Sequence, residues 1–256
     1  ADSGGFLGES DGEQRVSDGV IRSAGPVEPR RRLVCLPHAG GSAGVFRPWR
    51  HLLRPDSDLA ILQLPGRANR YHERPLDTIA EVVADLSPRL AHLDNLPYAL
   101  FGHSLGGLIA YELARRAPAD RPPTCLIVAA ARPPSCRAGT RYHELPDREF
   151  LEIVRREQGV SGGVPAPPEL LALLLPALRA DFRLGELYAH EPGPPPACPI
   201  AAYAGRDDTA VPVEKVRGWE GFTPGGFRLR LFDGDHFFVH APGAAIPRVL
   251  EVDLDS

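Results

Sequence analysis

The chain has 256 residues and no methionine, not even at position 1, so residue 1 is not expected to be the translational start. Lysine is nearly missing too: Lys215 stands alone beside 28 arginines. Together with 28 prolines, that bias reads as GC-rich coding and not as a nucleic-acid-binding surface. Cysteine is sparse. Cys35, Cys125, Cys136 and Cys198 form no C-x-x-C pair, which excludes a disulfide scaffold and argues against a zinc site. Reduced, mostly buried thiols are the expectation. A membrane span needs about 20 apolar residues; the longest Leu-rich run, Leu170 to Leu178, has nine and contains Pro176. A signal-peptide pattern is also missing, so the chain is expected to be soluble and cytoplasmic. What is present, 43% hydrophobic and 24% charged residues, is ordinary globular composition.

Charge of one sign is confined to one end. Residues 1–29 hold six acids against Arg15 and Arg22, which accounts for the whole net charge of −4. Only eight of these residues are hydrophobic. Such a segment buries too little apolar surface to offset its ordering entropy, and a disordered N-terminal extension is expected. Residues 30–256 are then one domain.

From Leu33 the texture changes. Short apolar runs end in glycine- or proline-rich turns: Leu33–Leu36, Ala60–Leu64, Tyr98–Phe101, Cys125–Ala130 and Ile200–Tyr203. Continuous apolar runs of this length read as strands buried on both faces of a parallel sheet. Phe227–Phe232 alternates with Arg228 and Arg230 and reads as an edge strand. Between them, Ile79, Val82, Val83, Leu86, Leu90 and Leu93 recur at helical spacing, with Asp77 as the expected N-cap and Pro88 as a kink. Leu105–Arg116 forms a second helix. Strands alternating with helices imply an α/β fold with a mostly parallel central sheet and helices on both faces. Residues 140–192 break the rhythm. They carry helical patterns near Asp147–Glu157 and Glu169–Tyr188 and no strand, so they are expected to be a helical lid insertion.

The sharpest signal is Gly102-His103-Ser104-Leu105-Gly106, a G-x-S-x-G pattern between a strand and a helix. Here the chain must turn sharply with the serine in strained φ/ψ, and small flanking residues let backbones cross. A serine nucleophile needs a base, and the base needs an orienting carboxylate. His236, in Gly234-Asp235-His236-Phe237-Phe238 after the last strand, is the candidate base, with His240 as its nearest rival. Gly205-Arg206-Asp207-Asp208 follows the preceding strand. Gly205 three residues before and Val211 three after favour Asp208 over Asp207. Stabilising an oxyanion needs two backbone N–H groups. Leu105 supplies one, and the loop Pro37-His38-Ala39-Gly40-Gly41 supplies the other, assigned to Ala39.

These segments together resemble the type II, or editing, thioesterases of polyketide and nonribosomal peptide assembly lines, members of the α/β-hydrolase superfamily. Pro37-His38-Ala39-Gly40-Gly41-Ser42 resembles the family's first loop, and Leu64-Pro65-Gly66-Arg67 with Arg70 its PGR segment. Gly102–Gly107 is similar to its elbow. Leu175-Pro176, Leu178-Arg179-Ala180-Asp181 and Tyr188 are similar to its lid helix, and Cys198-Pro199-Ile200, Gly205 to Asp208 and Gly234–Phe238 complete the likeness. Ala68 departs from an acid common after PGR, and Leu105 from a frequent Met. The resemblance implies an α/β-hydrolase fold with Ser104, Asp208 and His236 as triad and Ala39 and Leu105 as oxyanion donors. It also implies an acyl or aminoacyl group on the phosphopantetheine arm of a carrier protein as substrate. Neither metal nor organic cofactor is required, and a monomer without nucleic-acid or membrane partners is expected.

Two features stay open at this stage. The Leu170–Leu178 run reads equally as core packing or as lining of an acyl channel. Arg47, Arg50 and Arg54 read as solvated surface, or as a patch that steers an acidic carrier. Alternatives to the main reading are a carboxylesterase or lipase on free esters, a chain-releasing thioesterase cut from a synthase, and a non-catalytic hydrolase-fold binding module.

Overall fold

Alternation along the apolar runs builds two cores, one on each face of a sheet. The computed structural model describes residues 15–17, 19–22, 28–93, 95–159, 168–241 and 246–254, and their side chains except at 15–17, 157–159 and 168–172. Its strands are β1 (Arg15–Ser17), β2 (Val20–Arg22), β3 (Arg31–Leu36), β4 (Ser57–Leu62), β5 (Tyr98–His103), β6 (Leu126–Ala129), β7 (Ile200–Gly205) and β8 (Phe227–Phe232). They form one eight-stranded sheet in the order β1-β2-β4-β3-β5-β6-β7-β8. From β4 to β8 every pairing is parallel, while β1 and β2 run antiparallel at one edge. Successive side chains of a strand point to opposite faces. Val34, Leu100, Val128 and Ala202 therefore enter one core, and Cys35, Phe101, Ile127 and Tyr203 the other. The alternating run expected at an edge is β8, the last strand in the sheet.

The helices are α1 (Ile79–Ala91), α2 (Leu105–Ala114), α3 (Asp147–Gly159), α4 (Pro168–Leu187), α5 (Val213–Arg217) and α6 (Ile246–Leu254). Val82, Leu86 and Leu90 of α1, with Leu108 and Tyr111 of α2, pack on the first face. Phe46 and Trp49 of a 3-10 segment, with Ile246 and Leu250 of α6, cover the second. This is the mostly parallel, two-sided α/β architecture that the sequence implies.

Two local expectations are corrected. The N-terminal segment is not disordered throughout, since β1 and β2 form a hairpin whose second strand pairs with β4. Gly19 makes the turn at φ +78°, Val20 and Ile21 are buried, and the unpaired edge of β4 supplies the partners. Residues 1–14 lie outside the described residues. Helix α1 is capped one residue later than expected. Thr78 accepts from the Glu81 N–H while Glu81 accepts from the Thr78 N–H, a reciprocal capping box; Asp77 pairs with Arg74 instead. Pro88 lies inside the helix, which continues to Ala91.

Between β6 and β7, residues 140–192 carry α3 and α4 and no strand among the described residues. Leu174, Leu175 and Leu178 of α4 pack with Phe150 and Val154 of α3 in a small core of their own. The described part of the Leu-rich run thus serves packing between these helices, and Leu173 faces solvent. Leu170 and Leu171 lie outside the described side chains.

The sheet also sets where a ligand binds. From β3 the chain passes to β4 on one side, then crosses back to place β5 on the other. Loops leaving the carboxyl ends of two strands that diverge in this way open a crevice. Residues 37–41 leave β3 and Ser104 leaves β5 at that point. The crossing is sterically exacting. A Cβ on Gly102 would stand 2.2 Å from the Gly106 carbonyl oxygen, and one on Gly106 would stand 2.2 Å from that of Leu36. Because backbone cannot yield as a side-chain tip can, Gly106→Ala is expected to lower stability by about 3 kcal/mol. Urea unfolding measures this, and a loss below 1 kcal/mol would show that the crossing is softer than the geometry implies.

Candidate active site

Ser104 sits at φ 55° and ψ −115° between the end of β5 and the first residue of α2. A non-glycine residue in this region is strained and persists only when its surroundings hold it there. The Ser104 N–H donates to Ala129 O at 2.8 Å and the Ser104 carbonyl accepts from Gly107 N–H at 2.9 Å. Both sides of the turn are pinned, and Oγ projects into the crevice.

His236 and Asp208 reach it from two neighbouring loops. Gly205 lets these loops meet, because a Cβ there would stand 2.5 Å from Gly234 O. His236 Nδ1 lies 2.9 Å from Asp208 Oδ2, and Nε2 lies 3.0 Å from Ser104 Oγ. A carboxylate only accepts, so Nδ1 carries the proton. In the neutral ring Nε2 is then bare, and the Ser104 hydroxyl donates to it. Asp208 is buried and also accepts from the Ala210 and Val211 N–H groups through Oδ1. Asp207 is exposed, and its N–H donates to Gly234 O. The structure thus brings Ser104, His236 and Asp208 into one hydrogen-bonded line and leaves Asp207 outside it. Ala39 and Leu105 border the same cavity of about 400 Å³, along with Phe182 and Glu186 of α4.

His240, the rival base, lies beneath this line. The His103 Nε2–H donates to the carbonyl of His236 at 2.8 Å, since a carbonyl only accepts. That leaves His103 Nδ1 bare, and the His240 Nε2–H donates to it at 3.2 Å. His38 packs edge-on against His103, with ring centroids 5.0 Å apart. Burial pushes His103 well below the usual imidazole range, and its histidine neighbours add to this. Burial first, then the charges of His240, His236 and Arg67, push His38 down to about 3. Burial pushes His240 down to about 4. This support was hidden in the sequence: His103 appeared only as the variable residue of the elbow, and only the end points of the network lie near each other in the chain.

Ring nitrogens of His38, His103 and His240 lie within 4.8 Å of one another, which is metal-like spacing. Among the described residues no carboxylate or thiolate joins them in that group, and the Arg67 charge acts on His38. Both ring nitrogens of His103 are already engaged, one by the His236 carbonyl and one by His240 Nε2. The donor chemistry fits a neutral hydrogen-bonded support under the base.

Residues 31–252 match the thioesterase domain family. The chain belongs to this family. It is 36% identical over 212 residues to the gramicidin S biosynthesis protein GrsT of Aneurinibacillus migulanus, covering 82% of this chain and 83% of that protein. A thioesterase of Streptomyces venezuelae is 39% identical over 215 residues, covering 82% of this chain and 75% of the relative. Among solved structures, the type II thioesterase BorB from the borrelidin biosynthetic cluster superposes with a TM-score of 0.88. It is 36% identical, and the match covers 94% of this chain and 100% of BorB. RedJ, a thioesterase of the prodiginine pathway in Streptomyces coelicolor, gives 0.79 at 35% identity, over 89% of this chain and 90% of RedJ. The resemblance to type II thioesterases and the α/β-hydrolase fold are borne out, and the chain is a thioester hydrolase.

The three histidines under the site are expected to make the thioesterase acid-sensitive. Their folded-state pKa values lie below the unfolded value of about 6.5, so the unfolded chain binds more protons at low pH. Their stabilisation is therefore complete above about pH 6.5 and is lost as the pH falls toward the folded values. Each contributes a slope of up to about 1.4 kcal/mol per pH unit. The urea unfolding free energy is expected to be level near pH 7 and to fall below about pH 6.5, with a shallower slope in His240→Phe. An identical slope in that variant would mean that His240 is already charged in the fold.

Proposed function

We propose that the thioesterase hydrolyses acyl or aminoacyl thioesters on the phosphopantetheine arm of a carrier protein, removing stalled or aberrant groups from a polyketide or nonribosomal peptide assembly line. The observation that carries this reading is the Ser104–His236–Asp208 line, with contacts of 3.0 and 2.9 Å, at the base of a cavity walled by α4. The relatives support the pathway class, since GrsT is named for gramicidin S biosynthesis and BorB comes from the borrelidin cluster.

The proposed chemistry follows from the protons. As Ser104 Oγ attacks the thioester carbonyl, its proton passes to His236 Nε2. The charge developing on the carbonyl oxygen is met by the Leu105 and Ala39 N–H groups. Collapse expels the pantetheine thiolate, a good leaving group because a thiol has a pKa of about 8.5, and His236 returns the proton to it. Water, deprotonated by His236, then attacks the acyl-serine and releases acid and free Ser104. Asp208 keeps Nδ1 protonated and stabilises the imidazolium. His103, by holding the His236 carbonyl, fixes the backbone from which the base swings. Helices α3 and α4 act as the lid over the acyl group. The four cysteines are unpaired, in keeping with a reducing, cytoplasmic compartment, and a monomer completes the proposal.

Ser104→Ala is expected to abolish labelling by a fluorophosphonate and to cut hydrolysis by about 10⁴–10⁶; labelling at another serine would overturn the nucleophile. Asp208→Asn is expected to lower kcat by about 10⁴, and Asp207→Asn to keep most of it, with the reverse order moving the acid to the neighbour. For one acyl group, kcat/KM is expected to be higher on a carrier protein than on a free pantetheine thioester. Equal values would remove the carrier from the reading and favour a general esterase.

A further inference from the structure

Asp181, on α4, is buried to 2% exposure although it carries a charge. Its Oδ1 accepts from Arg67 Nη2 at 2.7 Å, and its Oδ2 accepts from Arg67 Nη1. The same Oδ2 also accepts from the backbone N–H of Gly40 at 2.7 Å. Arg67 is itself buried and is steadied by Nε donating to Pro65 O at 3.2 Å. One carboxylate thus joins three separate segments: the loop after β3, the loop after β4, and α4.

The Gly40 bond matters for what lies one residue before it. The peptide plane between Ala39 and Gly40 contains the Gly40 N–H, so anchoring that N–H fixes ψ of Ala39. On the other side, Gly41 N–H donates to His38 O at 2.9 Å and closes the turn. Gly40 adopts φ +77°, a left-handed conformation open to glycine without steric cost. The two anchors bracket the Ala39 amide, which borders the catalytic cavity beside Ser104.

We infer that Asp181 is a positioning residue for catalysis: clamped by Arg67, it sets the Ala39 N–H that receives the oxyanion, so this donor is in place only while α4 is docked. The inference rests on the proposed function, in which Ala39 is an oxyanion donor. Asp181 touches no reacting atom and acts through Gly40. A fixed donor works in the transition state without reorganisation, and losing one costs about 10²–10³ in kcat.

Two double variants separate this role from simple packing. Asn and Leu are nearly isosteric, so R67Q/D181N and R67Q/D181L both remove the ion pair but differ in whether Gly40 N–H keeps an acceptor. The D181L form is expected to have kcat lower than the D181N form by about 10²–10³, with KM changed less than threefold. A trifluoromethyl ketone mimic of the acyl group gives a second readout. Ser104 adds to its carbonyl, the hydroxyl proton moves to His236, and the former ketone oxygen becomes the oxyanion. Its inhibition constant is expected to weaken in parallel with kcat. Equal kcat and equal inhibition in two variants of equal melting temperature would overturn the inference. If R67Q/D181L does not fold, R67L/D181A removes the same acceptor while the leucine fills the vacated space, and is held to the same criterion. A wild-type enzyme with neither thioester turnover nor fluorophosphonate labelling would instead overturn the proposed function. A fully active wild type with two indistinguishable double variants overturns only the role of Asp181.

Discussion

Backbone contact without side chains, where β3, β5 and α2 converge, is the constraint on which the site depends. Gly102 and Gly106 let α2 start hard against the carbonyl of Leu36. That approach forces Ser104 into its strained turn and brings the loop after β3 alongside it. A single methyl group at either glycine would separate these elements. The nucleophile and the loop that faces it are therefore products of one steric fact, and the two cores on either side of the sheet supply the energy that holds the strain.

Below the serine, polarity is arranged in a definite direction. Asp208 dictates where the His236 proton sits, and the His236 carbonyl dictates the tautomer of His103, which in turn dictates that of His240. Burial keeps these supporting rings neutral. A charged ring immediately beneath the base would oppose the imidazolium that must form at each turnover. The support holds the base firmly and leaves its charge to Asp208 alone.

Local constraints were legible in the sequence because they demand particular residues at fixed spacing. The elbow needs its glycines, a two-faced strand needs an unbroken apolar run, and the order serine, acid, histidine is the chain order that a G-x-S-x-G elbow carries in this fold. Asp208 could be chosen over Asp207 because Gly205 and Val211 shape that loop. Less visible were features assembled across the chain. The pairing of Arg67 with Asp181 spans 114 residues, and nothing near either residue marks the other. The hairpin of β1 and β2 was diluted by the polar residues around Val20 and Ile21. Thr78 was passed over for Asp77 because both are good caps, and only the reach of Glu81 decides between them.

That hairpin has a consequence for how the molecule behaves among its neighbours. Without it, β4 would be a six-residue outer strand with its hydrogen-bonding groups bare, a template on which another chain could add. With it, that side of the sheet ends in β1, only three residues long. Arg22 reinforces the cover by an ion pair to Asp58 of β4 at 2.9 Å. The hairpin thus serves as a selvedge, a finished border along the side of the sheet where β4 would otherwise lie open.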